Sequence, residues 1–148
     1  MNQAHLHLIM NHIPVVGIPL AAVLLAYGLK FKNSAISRPA LVFLAALALV
    51  ALPVFLTGEP AEDLAENLPG VSEAVIEPHE DAGKVAMILS LVTGSVALLA
   101  FALKRDEKKQ ILFSKAALIL ACAATVALGY TANLGGKIRH TEIRSDGQ

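Results

Sequence analysis

Val85–Leu103 reads VAMILSLVTGSVALLAFAL and contains no acidic or basic side chain. A helix of ~20 apolar residues is long enough to cross the ~30 Å hydrocarbon layer of a membrane. Three more stretches with almost no charge lie at residues 14–29, 40–57 and 111–132. The sequence therefore predicts an all-α membrane protein: a bundle of four transmembrane helices that forms a single domain over residues 1–148.

The overall composition agrees with a membrane protein. The chain has 148 residues, of which 55% are hydrophobic, and its mean hydropathy is +0.62. A soluble domain of this length cannot bury so much apolar surface in a core of its own. The basic loops are short and adjoin the predicted helices, so membrane lipid is their expected counterpart and nucleic-acid binding is not predicted.

The charged residues are distributed unevenly between the loops. The charged residues in the loop after the first span and in the loop after the third are mainly basic. In the 58–81 loop they are all acidic. The acidic residues of that loop are Glu59, Glu62, Asp63, Glu66, Glu73, Glu77, Glu80 and Asp81. Short loops rich in Lys and Arg stay in the cytoplasm. We therefore expect both termini and the acidic 58–81 loop on the periplasmic side of a bacterial inner membrane.

This topology collects all five histidines at the periplasmic face. His5, His7 and His12 precede the first span, His79 opens the third, and His140 follows the fourth. Histidine is the commonest metal ligand among side chains, so the clustering predicts a cofactor or metal site there. We expect His12 and His79 to be its main pair of ligands, because each lies at a helix end closest to the apolar layer. His7 and His140 form a second predicted pair.

Proline and glycine residues predict where the helices begin and end. Ile13 precedes Pro14 and resists the helical conformation, which predicts a separate turn for residues 7–12. Pro78 suits the first turn of the third helix. The Asn133–Gly136 segment predicts the end of the fourth helix, with a glycine in the left-handed conformation.

The segment after the fourth span is basic. It contains Arg139 and Arg144 on either side of His140. A guanidinium group can bind a carboxylate through two parallel hydrogen bonds, in a bidentate arrangement. We therefore expect these arginines to pair with anionic groups, either haem propionates or the acidic 58–81 loop.

Several short motifs resemble those of a known family. Residues 7–14, HLIMNHIP, have the form H-x4-H-x-P, followed by an apolar run. This opening resembles that of an uncharacterised family of bacterial four-helix membrane proteins, a domain of unknown function. The Thr57-Gly58-Glu59 segment, the position of His79 and a late Gly-Gly pair are also similar. The chain departs from the family in having His7-Leu8 where His-Pro is usual, and in a longer 59–81 loop. The resemblance implies the four-helix topology and a cytochrome b-like, haem-binding role.

Three functions are compatible with these features. The first is a b-type cytochrome-like electron-transfer subunit, in which histidines bind haem b and the electron partner is a quinol or a periplasmic carrier. The second is a non-haem iron, copper or zinc site. Its predicted ligands are His7, His12, His79 and His140, with carboxylates such as Glu59, Glu80 or Glu142.

The third function is that of a structural or accessory subunit of a larger respiratory-type membrane complex, in contact with partner membrane subunits or with copies of itself. Small residues along the third and fourth helices suit close packing against other helices. The sequence shows no H-E-x-x-H motif and no constellation for nucleophilic catalysis. An electron-transfer or accessory subunit is therefore expected rather than a stand-alone enzyme.

Overall fold

The computed structural model describes residues 2–140 and 143–144, and these are almost entirely helical. The helices are α1 (Gln3–Lys30), α2 (Ser34–Leu56), α3 (Gly58–Ala65), α4 (Glu73–Ala102) and α5 (Glu107–Arg139). Four helical stretches in the described part of the chain are long and apolar enough to cross a membrane. The prediction of an all-α chain with four helices suited to span a membrane is thus confirmed. The short, polar α3 lies between the second and third of them.

The four long helices pack as a closed bundle in the order α1, α2, α4, α5, so that α1 and α4 lie diagonally opposite each other. The short α3 packs against α1 and α2. Ile18, Leu25 and Leu44 are fully buried between the helices. Alanines fill much of the remaining core, because small side chains allow helix backbones to approach closely in a membrane bundle.

One glycine shows how close the helices come. A Cβ atom built on Gly94 of α4 would lie 2.4 Å from the Cβ of Ala48 in α2. On the outside of the bundle the side chains are apolar as well, and Ile119 and Val126 are more than two-thirds exposed. A surface of this kind suits contact with lipid or with other membrane helices.

The first helix is longer than the sequence predicts. It begins at Gln3, because the Asn2 side chain caps it by accepting a hydrogen bond from the His5 backbone N–H at 2.9 Å. It then continues through Pro14 and Pro19 without a break. The predicted separate turn over residues 7–12 is therefore wrong. Proline is tolerated inside a membrane helix when neighbouring groups satisfy the backbone that it frees.

The other two predicted helix boundaries also differ. Helix α4 begins at Glu73, so Pro78 lies within it, and α5 continues past Gly135 and Gly136 to Arg139. The predicted stop at 133–136 is wrong because neither glycine adopts a positive φ. Among the described glycines only Gly70 does so. Gly135 instead leaves space for the His79 ring of α4, which packs against α5.

Candidate two-histidine site

The imidazole rings of His7 and His79 meet at the end of the bundle where α3 lies. Their ring centres are 6.4 Å apart and their planes are nearly perpendicular, at 86°. His7 lies in the second turn of α1 and His79 in the second turn of α4, and both side chains are half-buried. Because α1 and α4 are diagonally opposite, the two rings approach each other across the centre of the bundle.

The Nδ1 atom of His7 is fixed by α2 and the residue that follows it. Nδ1 lies 3.1 Å from the carbonyl oxygen of Val54 and 3.1 Å from Oγ1 of Thr57. The Thr57 hydroxyl itself donates to the Val54 carbonyl at 2.8 Å. A carbonyl can only accept, and the hydroxyl hydrogen is already committed, so Nδ1 of His7 must carry a hydrogen and donate it. In the neutral ring, Nε2 then has the free lone pair.

His79 is held in the same tautomer by a different helix. Its Nδ1 donates to the backbone carbonyl oxygen of Thr131 in α5, at 3.0 Å. The neutral ring again keeps its lone pair on Nε2. A histidine that binds a metal through one nitrogen commonly donates its other N–H to a carbonyl or carboxylate, which fixes the tautomer and the orientation of the ring. Both rings have this arrangement.

Two glycines border the rings, and only one of them is required by space. A Cβ atom on Gly135 would lie 2.9 Å from Cε1 of His79, closer than real side chains approach. A Cβ atom on Gly58 would lie 3.9 Å from Cε1 of His7, an ordinary contact distance. Gly135 therefore creates the space in which the His79 ring lies. The next residue, Gly136, has Ile143 packed over it.

His12, which the sequence pairs with His79, lies elsewhere. Its side chain is exposed, and its Nδ1 is 2.6 Å from the Leu8 carbonyl of the same helix. In a continuous helix, residues five apart point in directions that differ by roughly 140°. Since α1 is continuous, His7 faces the bundle centre and His12 does not. The ring beside His79 is that of His7.

The remaining predicted site residues lie at the end of α5. Arg139 is its last residue and His140 its C-cap, and both are exposed. Arg144 folds back over this end. Its guanidinium donates to the carbonyls of Lys137 and Ile138, at 2.8 and 3.0 Å, and to the carbonyl of Gly70. Its partner in the 58–81 loop is therefore a backbone carbonyl rather than one of the predicted carboxylates.

Acidic side chains lie close to the histidine pair. Glu80 follows His79 in α4, and its carboxyl group lies close to that of Glu62 in α3. Across residues 2–140 and 143–144, however, no three His, Cys, Asp or Glu side chains are arranged to hold a metal ion. Glu142 lies outside the described residues. The donor set that the structure brings together consists of two imidazoles.

Sequence reasoning missed the groups that orient the rings. Thr57 stands in a motif that the family resemblance already singled out, and it could have been proposed as a histidine partner. The carbonyls of Val54 and Thr131 carry no sequence signal, because every residue has such a group. The role of Gly135 was hidden because a Gly-Gly pair also suits a helix end.

Comparison with protein families, with curated proteins and with solved structures finds no match for this chain. A proposal about function therefore depends on the geometry of the two histidines and on the distribution of charge.

Proposed function

We propose that this protein is a membrane b-type cytochrome-like electron-transfer subunit in which His7 and His79 would hold a haem b. The observation that carries the proposal is the matched state of the two rings. Each donates its Nδ1 hydrogen to a protein oxygen and keeps the Nε2 lone pair for a metal.

The distance between the ring centres is compatible with one metal ion held between the two rings. Bonds from a metal to imidazole nitrogen are ~2.0 Å long, and the nitrogen lies ~1 Å from the ring centre, so two rings on opposite sides of an ion have centres roughly 6 Å apart. The observed separation of 6.4 Å agrees with this value.

The number of protein donors favours haem over a bare ion. A zinc site takes about three or four protein ligands. In haem the porphyrin supplies the equatorial nitrogens, so two axial histidines complete the coordination. The described residues offer two imidazoles and no larger cluster of donors, which suits haem better than non-haem iron, copper or zinc.

A bound haem b would supply one-electron redox chemistry, and the protein would bind and orient it. The two histidines come from diagonal helices, and their Nδ1 partners come from α2, Thr57 and α5. All four long helices therefore contribute to the site, as is common for cofactor sites in four-helix bundles. We propose a quinol or a periplasmic carrier as the electron partner and an accessory role within a larger membrane complex.

The charge distribution supports an orientation for the bundle. Lys32 and Arg38 lie at the α1–α2 end, and Lys104, Arg105 and Lys108 lie at the α4–α5 end, which is the same side of the bundle. The acidic segment with α3 lies at the opposite end, beside the two histidines. Applying the positive-inside rule, we propose that the histidine end and both termini face the periplasm of a bacterial inner membrane.

The test is an optical spectrum of the detergent-purified protein, oxidised and then reduced with dithionite, after expression with haem available. We expect a Soret band that shifts on reduction, with sharp α and β bands. His7→Ala and His79→Ala should each lose these bands, whereas the matched variant His12→Ala should keep them. A flat spectrum from folded protein would contradict the haem proposal. Elemental analysis would then show whether another metal is bound or whether the chain is a structural subunit. Loss of the bands in His12→Ala but not in His7→Ala would contradict the choice of ligands.

A further inference from the structure

We infer that the Thr57 hydroxyl is a positioning group for His7 that has no counterpart at His79, so that the two ligands of the site are unequal. The inference deepens the proposed function and, for its effect on haem, rests on it. Its effect on the His7 ring itself does not depend on haem.

Thr57 lies where it can act on both His7 and Val54. Val54 is in the last turn of α2, where backbone carbonyls have no partner within the helix. The Thr57 hydroxyl donates to this carbonyl at 2.8 Å, and its oxygen lies 3.1 Å from Nδ1 of His7. The ring hydrogen is therefore shared between two oxygens that are themselves hydrogen-bonded. By donating its own hydrogen to Val54, the Thr57 hydroxyl becomes a stronger acceptor for the His7 ring N–H.

The other ring has a simpler environment. Nδ1 of His79 donates to the Thr131 backbone carbonyl alone. The Thr131 hydroxyl takes no part, because it donates to the Ala127 carbonyl at 2.9 Å within its own helix. Each ring thus has a threonine beside it, but only the Thr57 side chain contacts a ring nitrogen.

A hydrogen-bond acceptor on Nδ1 makes Nε2 a stronger donor to a metal. Loss of the Thr57 oxygen should therefore weaken His7 as a ligand and leave its ring free to tilt about the remaining bond to Val54. Weakening a donor ligand destabilises ferric iron more than ferrous iron, so the reduction potential of a bound haem should rise. Loss of such an outer-shell partner typically lowers metal affinity ~10–100-fold.

The experiment compares Thr57→Val with Thr131→Val in the full-length, detergent-purified protein. Each substitution removes a hydroxyl and keeps the branched shape. Haemin titration and potentiometry should show an affinity ~10-fold lower and a higher potential for Thr57→Val only. Thr57→Ser should restore wild-type values, because it restores the hydroxyl. If Thr57→Val behaves like Thr131→Val in both measurements, the inference is overturned.

A second measurement separates this inference from the haem proposal. Nitrogen-15 NMR of the ligand-free protein, labelled at histidine, reports which ring nitrogen carries the hydrogen. We expect the Nδ1–H form of His7 to decrease in Thr57→Val and to stay unchanged in Thr131→Val. Unchanged His7 shifts in Thr57→Val would overturn the inference, whether or not wild-type protein binds haemin. If wild type binds no haemin but the shifts change as expected, only the proposed function fails. Should Thr57→Val not fold, Thr57→Ala serves the same comparison.

Discussion

Different kinds of interaction hold the helices together at the two ends of the bundle. At the histidine end, side chains bind partners far away in the sequence: His7 contacts the α2 terminus, His79 contacts α5, and Arg144 contacts the carbonyl of Gly70. At the basic end the hydrogen bonds of side chains are local, and the long-range contact is of another kind: the Arg38 guanidinium lies 5.0 Å from the centre of the Phe101 ring. There Asn33 accepts from the Ala35 backbone and Asp106 from the Lys109 backbone.

Local bonds of this kind cap helices and stabilise their ends. The hydrogen bond from the Lys109 N–H, for example, holds the pKa of Asp106 below its usual value. Long-range bonds between side chains and backbone fix the relative positions of separate helices instead. The histidine end is therefore organised around two oriented rings, whereas the hydrogen bonds of the basic end stop and restart helices.

The largest change in haemin affinity is expected from a substitution at Gly135, at the histidine end. In Gly135→Ala the new methyl group would meet the His79 ring at 2.9 Å, so the ring must move and its bond to the Thr131 carbonyl must lengthen. We expect haemin affinity to fall ~100-fold, at the upper end of what loss of outer-shell order costs. The measurement is a haemin titration followed optically.

Gly58→Ala is the matched control for this prediction. Its methyl group would lie 3.9 Å from the His7 ring, so we expect less than a threefold change in affinity. Equal losses in both variants would show that the site is generally fragile and that Gly135 has no special role.

A substitution at Gly28 should destabilise the basic end of the bundle and leave the histidine pair in place. A Cβ atom on Gly28 would lie 2.6 Å from the backbone nitrogen of Ser37, which cannot move aside as a flexible side chain can. Gly28→Ala should therefore destabilise the bundle by ~1–3 kcal/mol, as overpacking does. Thermal unfolding measured by circular dichroism reports this change.

The control for Gly28 is Gly129→Ala in α5, where the added methyl group meets nothing within 4 Å. It should be neutral or slightly stabilising, because alanine favours a helix more than glycine does.

The folded fraction of Gly28→Ala should bind haemin with wild-type affinity. A weaker affinity there would contradict the separation of the two ends.

The smallest effect is expected from a substitution at Arg144, which lies at the histidine end but does not contact the two rings. Arg144→Ala removes donors to the carbonyls of Lys137, Ile138 and Gly70. We expect faster hydrogen exchange at the end of α5 and around Gly70, with little change in haemin affinity. Arg144→Lys should not restore protection, because an ammonium group lacks the planar fork of a guanidinium. If Arg144→Ala lowers affinity as much as Gly135→Ala, the tail belongs to the site.

The sequence was sufficient to predict the four long helices, because runs such as Val85–Leu103 have the length and composition of membrane spans. It also predicted a site among the histidines, two of which, His7 and His79, lie together in the structure. It could not tell which histidine of α1 faces inward. That depends on whether Pro14 interrupts the helix, and the sequence pattern suggested that it does.

Gly135 shows a second limit of sequence reasoning. A glycine suits both a left-handed helix end and the close approach of a ring, and only the position of His79 in space distinguishes the two. The carbonyls that orient the rings are backbone groups, so their role depends on packing. The sequence therefore identifies the histidine side chains, but it does not give the orientation of their rings.

We propose that His7 and His79 together would hold one haem iron. Electron paramagnetic resonance of the oxidised, haem-loaded protein tests it directly. We expect a low-spin ferric signal from the wild-type protein, as two imidazole ligands would give, and we expect its loss in both His7→Ala and His79→Ala. A high-spin signal in wild type, or a low-spin signal that survives either substitution, would contradict it.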